Sequence, residues 1–97
     1  MKTPDQQKRI DQIMDWFDFA SVATTMKALG WKWAQLDGGR VPDVSEIREF
    51  ARERLEEASC RKSNYSACGG FEAEYDPDSS SLSLRFCVDE WTTEEQI

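Results

Sequence analysis

The groups in this chain with any capacity for chemistry are carboxylates, thiols and indoles, because histidine is absent. That removes the side chain that titrates near neutrality, and with it Ser–His and Cys–His nucleophile pairs and imidazole metal ligation. Glu72/Glu74 and Glu94/Glu95 are spaced closely enough to be written as an acid and a base. A catalytic carboxyl, however, needs burial or a like charge to raise its pKa. Glu72 and Glu74 alternate with Phe71, Ala73 and Tyr75, which is the pattern of a solvated strand face. Asp76, Asp78 and the serines after them lack the spacing and closing glutamate of a calcium loop. Gly69-Gly70 precedes a strand instead of following one, so it serves a bend or bulge that turns Phe71 inward and not a phosphate loop. Cys60, Cys68 and Cys87 form no Cys-x-x-Cys and cannot all pair, which suits free thiols in a reducing compartment. The expectation is a protein that is not an enzyme and uses neither metal nor cofactor.

Binding chemistry is left, and charge is its clearest signal. Residues 1–62 hold eleven acidic and eleven basic side chains; residues 63–97 hold eight acidic ones against Arg85 alone. The whole net charge of −7 therefore lies in the last third. A segment of this kind repels nucleic acid and is drawn to basic protein surfaces, although an acidic strand face also serves plain solubility. The candidate contact set is Glu72, Glu74, Asp76, Asp78, Asp89 and Glu90, with Tyr75 and Trp91 as apolar anchors. Trp16, near the other end, is a further partly exposed candidate. Trp31 and Trp33 alternate across one residue and fill core or stack on a ligand. Arg48, Arg52, Arg54 and Arg61 are interleaved with glutamates and read as a solvated helix face.

The elements that must position these groups follow from periodicity. Ile10, Ile13, Met14 and Phe17 give a helix over 5–17. Asp18 caps a second helix over 18–29, with Phe19, Val22, Ala23, Met26 and Leu29 on one face and Gly30 closing it. Residues 31–34 are a short strand, and Asp37-Gly38-Gly39-Arg40 is a turn. Asp43 and Glu46 form a capping box for a helix over 43–59, whose buried stripe is Val44, Ile47, Ala51, Leu55 and Ala58, with Phe50 at its margin. Two alternating runs, 70–76 and 81–89, make an antiparallel hairpin, and 92–97 are a flexible tail. A lone hairpin is marginal in water, so its apolar face must lie on the helices. The chain is read as one α+β domain spanning 1–97, with two or three helices packed on one face of a small antiparallel sheet. No apolar run is long enough for a membrane span, and the polar opening MKTPDQQKRI suits a cytoplasmic protein.

A set of motifs supplies one further expectation: Asp18-Phe19, then Met26-Lys27-Ala28-Leu29-Gly30-Trp31-Lys32-Trp33, then Val41-Pro42-Asp43 and the helix with Glu46, Ala51, Leu55 and Ala58. Gly69-Gly70-Phe71-Glu72-Ala73, Leu82-Ser83-Leu84-Arg85-Phe86 and Asp89-Glu90-Trp91 complete it. The run resembles a family of small phage and prophage proteins over about three quarters of the chain. The shared residues are structural, so the resemblance implies a fold and a phage setting in a host cytoplasm, with no catalytic residues to carry over. In that setting the charge split suggests a protein that binds and inhibits a host protein, in the manner of an anti-CRISPR or other anti-defence inhibitor. It would dock on a basic nucleic-acid-binding surface and contact neither nucleic acid nor membrane itself. Two other readings are a nucleotide-signal sponge, using Trp31 and Trp33 with Arg48 or Arg52, and an accessory protein that acts only by self-association as a homodimer.

Overall fold

The computed structural model describes residues 4–32, 39–60, 64–88 and 91–96. Three helices, α1 (Pro4–Trp16), α2 (Phe19–Leu29) and α3 (Val44–Cys60), precede four strands, β1 (Tyr65–Cys68), β2 (Phe71–Asp76), β3 (Ser81–Val88) and β4 (Trp91–Gln96). The strands form one antiparallel meander in the order β1-β2-β3-β4. Helix α3 lies across β1, β2 and β3, and α1 and α2 pack against α3. This is the expected two-layer α+β arrangement, with helices on one face of the sheet.

Each helix is set by local chemistry. Asp18 accepts from the Ser21 amide at 3.0 Å and from the Ser21 hydroxyl at 2.6 Å, capping α2. These bonds hold the Asp18 carboxyl below the ordinary carboxylate range. At the other end Gly30 takes φ +65°; its amide donates to Lys27 O at 3.2 Å and the Trp31 amide to Met26 O at 2.8 Å. Those two bonds make a Schellman motif. They also correct the expected strand at 31–34: the Trp31 N–H is committed to the helix end, and residues 31 and 32 are not strand. Trp33 and residue 34 lie outside the described residues. Trp31 itself is half-buried against the core.

The capping box of α3 forms as expected. The Glu46 amide donates to Asp43 Oδ1 at 2.9 Å, and the Asp43 amide donates to Glu46 Oε1 at 3.0 Å. Arg40 adds a two-pronged contact to Glu46 at 2.6 and 2.7 Å. The Arg40 guanidinium and then the Asp43 amide hold the Glu46 carboxyl at about 2. A depressed folded-state pKa gives stability that is complete above the unfolded carboxylate value near 4.5 and is lost as pH falls through about 2. Glu46→Gln should therefore lower the melting temperature at pH 6, and the gap to wild type should close between about pH 4.5 and pH 2 in paired thermal melts. A gap independent of pH would show that the carboxylate charge plays no part.

The core is a single cluster shared by both layers. Ile10, Ile13, Met14 and Phe17, then Phe19, Val22 and Met26, then Ile47, Ala51, Leu55 and Ala58 supply its helical side. Phe71, Ala73, Leu82, Leu84 and Phe86 supply the sheet side. Two stripe residues depart from expectation: Leu29 is 52% exposed and Val44 45%. Each is the end residue of its helix, where the apolar stripe has run past its partner element. Trp16 is 59% exposed, in keeping with its sequence position. Helix α1 runs antiparallel to α3, tied by Gln6 to Ser59 O at 3.2 Å and Arg52 to Asp11 at 3.2 Å.

The sheet holds two elements that periodicity did not reveal. Residues 91–96 are β4, not a flexible tail; Thr92 and Thr93 favour extended backbone, and β3 offers a full edge from Ser83↔Gln96 to Val88↔Trp91. Strand β1 hides because three of its four residues are exposed, which erases any apolar alternation. It joins β2 through Gly69-Gly70, both with positive φ (+61° and +91°), the backbone of a two-residue hairpin turn. A Cβ at Gly70 would lie 2.8 Å from Phe86 Cε1 and 3.4 Å from Cys87 O, whereas one at Gly30 would meet nothing within 4 Å. Gly70→Ala should thus cost about 2–4 kcal/mol in urea unfolding, combining backbone strain with a displaced buried ring. Gly30→Ala should cost only about 1 kcal/mol. Equal losses would mean that the ring contact is immaterial.

Candidate functional site

Strand pleating divides the sheet residues into two rows. The inner row, Phe71, Ala73, Leu82, Leu84 and Phe86, is buried against the helices. The outer row carries Glu72, Glu74 and Asp76 on β2, and the register places Arg85, Ser83 and Ser81 opposite them on β3. On β1, Tyr65 pairs with Glu74; on β4, Glu94 pairs with Arg85. Tyr65, Glu72, Glu74, Ser83, Arg85 and Glu94 together line a shallow cleft of about 220 Å³ on this face. A second depression, lined by Glu74, Asp76, Ser81, Ser83 and Glu94, continues it toward the β2–β3 turn.

Electrostatically the face is acidic with one internal cation. Arg85 pairs with Glu72 at 3.2 Å, and both side chains are about half exposed, so the bond contributes at most about 1 kcal/mol. Glu74 and Glu94 make no ion pair among the described residues. Asp76 accepts from the Asp78 amide at 2.9 Å within the turn. That bond, with a further one from the Ser79 hydroxyl, holds the Asp76 carboxyl below its ordinary value and keeps it ionised.

Every other described arginine is engaged in the helical layer. Arg9 pairs with Asp5 at 3.0 Å, Arg52 with Asp11 at 3.2 Å and Arg54 with Glu57 at 3.4 Å. Arg40 serves the α3 cap, while Arg48 reaches Met14 O at 3.5 Å and lies 5.2 Å from the centre of the Phe19 ring. Arg54 also covers Phe50, at 4.8 Å. These five described arginines therefore do not neutralise the acidic sheet face.

The nominated residues are distributed unevenly. Glu72, Glu74 and Asp76 share the outer face, and Asp78 is exposed in the adjoining turn. Tyr75 does not belong with them: it alternates onto the inner side of β2 and packs against the core, so it is no anchor for the outer face. Trp91 is placed opposite Val88, a register position in the row that continues Leu82, Leu84 and Phe86. Asp89 and Glu90 lie outside the described residues. Four cleft residues stand outside the candidate set: Ser83 and Arg85, which the sequence shows only as polar alternates of β3, and Tyr65 and Glu94, whose strands it does not reveal. The Gly-Gly pair flanked by extended residues was the available signal for β1, and Thr92-Thr93 for β4. Of the residues named for nucleotide stacking, Trp31 packs on the core, Arg48 and Arg52 have hydrogen-bond partners, and Trp33 lies outside the described residues.

Cys68 is a free, exposed thiol. Among the described residues no three His, Cys, Asp or Glu side chains are grouped to hold a metal ion, and no helix is long and apolar enough to cross a membrane. Fold and face together define a small two-layer α+β domain whose sheet is covered by helices on one side and, among the described residues, open and acidic on the other. Family models, curated proteins and solved structures yield no match to this chain.

Proposed function

We propose that this chain is a non-enzymatic binding protein that docks the outer face of its sheet on a basic surface of another protein. The observation that carries this reading is the pair Glu74 and Glu94, which line one cleft with Glu72 and Arg85 and make no ion pair among the described residues. Carboxylates spaced along neighbouring strands offer the cations of a nucleic-acid-binding surface what phosphates offer them. In the phage setting that the sequence resemblance implies, the partner is a host defence protein of the anti-CRISPR-target kind, inhibited by occupation of its nucleic-acid site.

The test is capture from host lysate by wild type and by Glu74→Lys/Glu94→Lys, with and without competing duplex DNA. Nucleic-acid-binding proteins retained by wild type, released by the DNA and absent from the variant are the expected result. Retention that survives both the variant and the competitor would overturn the reading.

A further inference from the structure

We infer that β4 is an open docking edge for an extended basic segment of the partner, which adds a fifth strand beside the acidic face. The inference rests on the docking reading above and specifies which part of the molecule takes hold. In the order β1-β2-β3-β4, each end strand has one hydrogen-bonded neighbour in the sheet. The two ends differ. Strand β1 has four residues; helices back both ends, α3 behind β1 and α1 behind β4, so length is what separates them. Strand β4 has six, paired with β3 in unbroken register from Trp91 to Gln96.

Exposed edges are usually blunted by proline, lysine, a bulge or a covering segment, since unpaired N–H and C=O groups invite another strand. Trp91-Thr92-Thr93-Glu94-Glu95-Gln96 contains neither proline nor lysine, and its ladder has no bulge. Its charges are acidic only. A second copy of the chain is a poor occupant, because edge-to-edge pairing would set two acidic outer faces side by side. A strand with lysine or arginine at alternate positions is a good one. Its cations fall on the outer side next to Glu94, within about 5 Å between Cβ atoms, and extend the row of Glu72 and Glu74. Backbone bonds then give affinity without demanding sequence, and the acid row selects charge.

The experiment uses the whole protein and the seven-residue peptide Lys-Thr-Lys-Thr-Lys-Thr-Lys, alongside a copy N-methylated at every backbone nitrogen. Both carry the same charge, but the methylated copy cannot donate to an edge. Titration followed by amide NMR should show the plain peptide binding about tenfold or more tightly than the methylated one. It should also slow hydrogen exchange within residues 92–96. Equal binding of the two peptides, or protection confined to β1, would overturn the edge while leaving the acidic face standing. Failure of both peptides to bind at low salt would overturn the edge and the docking reading together.

Discussion

Replacing Phe71 by alanine should lower the stability of this protein by about 3–5 kcal/mol, the range for emptying a buried aromatic site. Phe71 is fully buried at the first position of β2. Its ring centre lies 4.8 Å from that of Phe86, 6.0 Å from Phe17, 6.4 Å from Phe50 and 6.5 Å from Phe19. These partners come from β3, from the α1–α2 junction, from α2 and from α3, so the ring joins every layer of the fold. Tilted aromatic pairs add about 0.5–1.5 kcal/mol each beyond area burial. A domain of this size has about 5–15 kcal/mol in total and loses about 4–8 °C of melting temperature per kcal/mol. The expected Phe71→Ala protein melts about 15–30 °C below wild type by circular dichroism, whereas Phe71→Leu, which keeps most of the volume, costs about 1–1.5 kcal/mol. A loss below about 1 kcal/mol for Phe71→Ala would show that the four rings close over the gap and that the cluster does not organise the core.

What the sequence made legible follows from where burial is one-sided and strong. The amphipathic stripes of α1 and α3, the caps at Asp18 and Asp43, and the alternation in β2 and β3 each couple side-chain type directly to position. Gly30 was readable for the same reason, since a left-handed residue after an apolar helix has few other uses. Edge strands obey a weaker rule. Tyr65-Ser66-Ala67-Cys68 has one buried residue, and Thr92-Thr93-Glu94-Glu95 is polar throughout, so both look like loops until β2 and β3 supply partners. The candidate site suffered accordingly. Glu72, Glu74 and Asp76 were found because they alternate with Phe71, Ala73 and Tyr75; Tyr65 and Glu94 reach the same cleft only through cross-strand register. Tyr75 fails as an anchor for the outer face because the alternation that sets Glu72, Glu74 and Asp76 outward sets it inward, beside Phe71 and Ala73.

The layering also explains how one small sheet can stabilise the fold and remain free to bind. Side chains on alternate residues act separately: the inner row carries the packing, and the outer row carries charge with little structural duty. The helical layer neutralises itself, with Arg9, Arg52 and Arg54 matched to Asp5, Asp11 and Glu57. Among the described residues the outer sheet face carries Glu72, Glu74, Asp76 and Glu94 against Arg85, a local acidic surplus that acts as a directed field.

That local surplus is what Glu74→Lys/Glu94→Lys measures. The double variant adds four positive charges to a chain of net charge −7, leaving −3. Neither glutamate makes an ion pair among the described residues, so folding should be little changed; surface substitutions of this kind fall within about 0.5 kcal/mol. Association with a basic partner should nonetheless slow by about 10- to 1,000-fold at low salt, since steering by a focused patch accounts for that range of on-rate. Asp15→Lys/Glu49→Lys makes the same change in net charge at two exposed positions of the helical layer. Its expected loss of on-rate is about threefold or less, because these sites lie on the opposite side of the sheet and exposed charges are screened beyond about 10 Å at 0.1 M salt. The difference between the two variants should shrink as salt is raised toward 1 M, where screening acts within about 3 Å. Surface-plasmon association rates for the captured partner across that salt range decide the matter. Equal losses for the two double variants would mean that total charge alone drives binding, and the outer sheet face would then have no claim to be the docking surface.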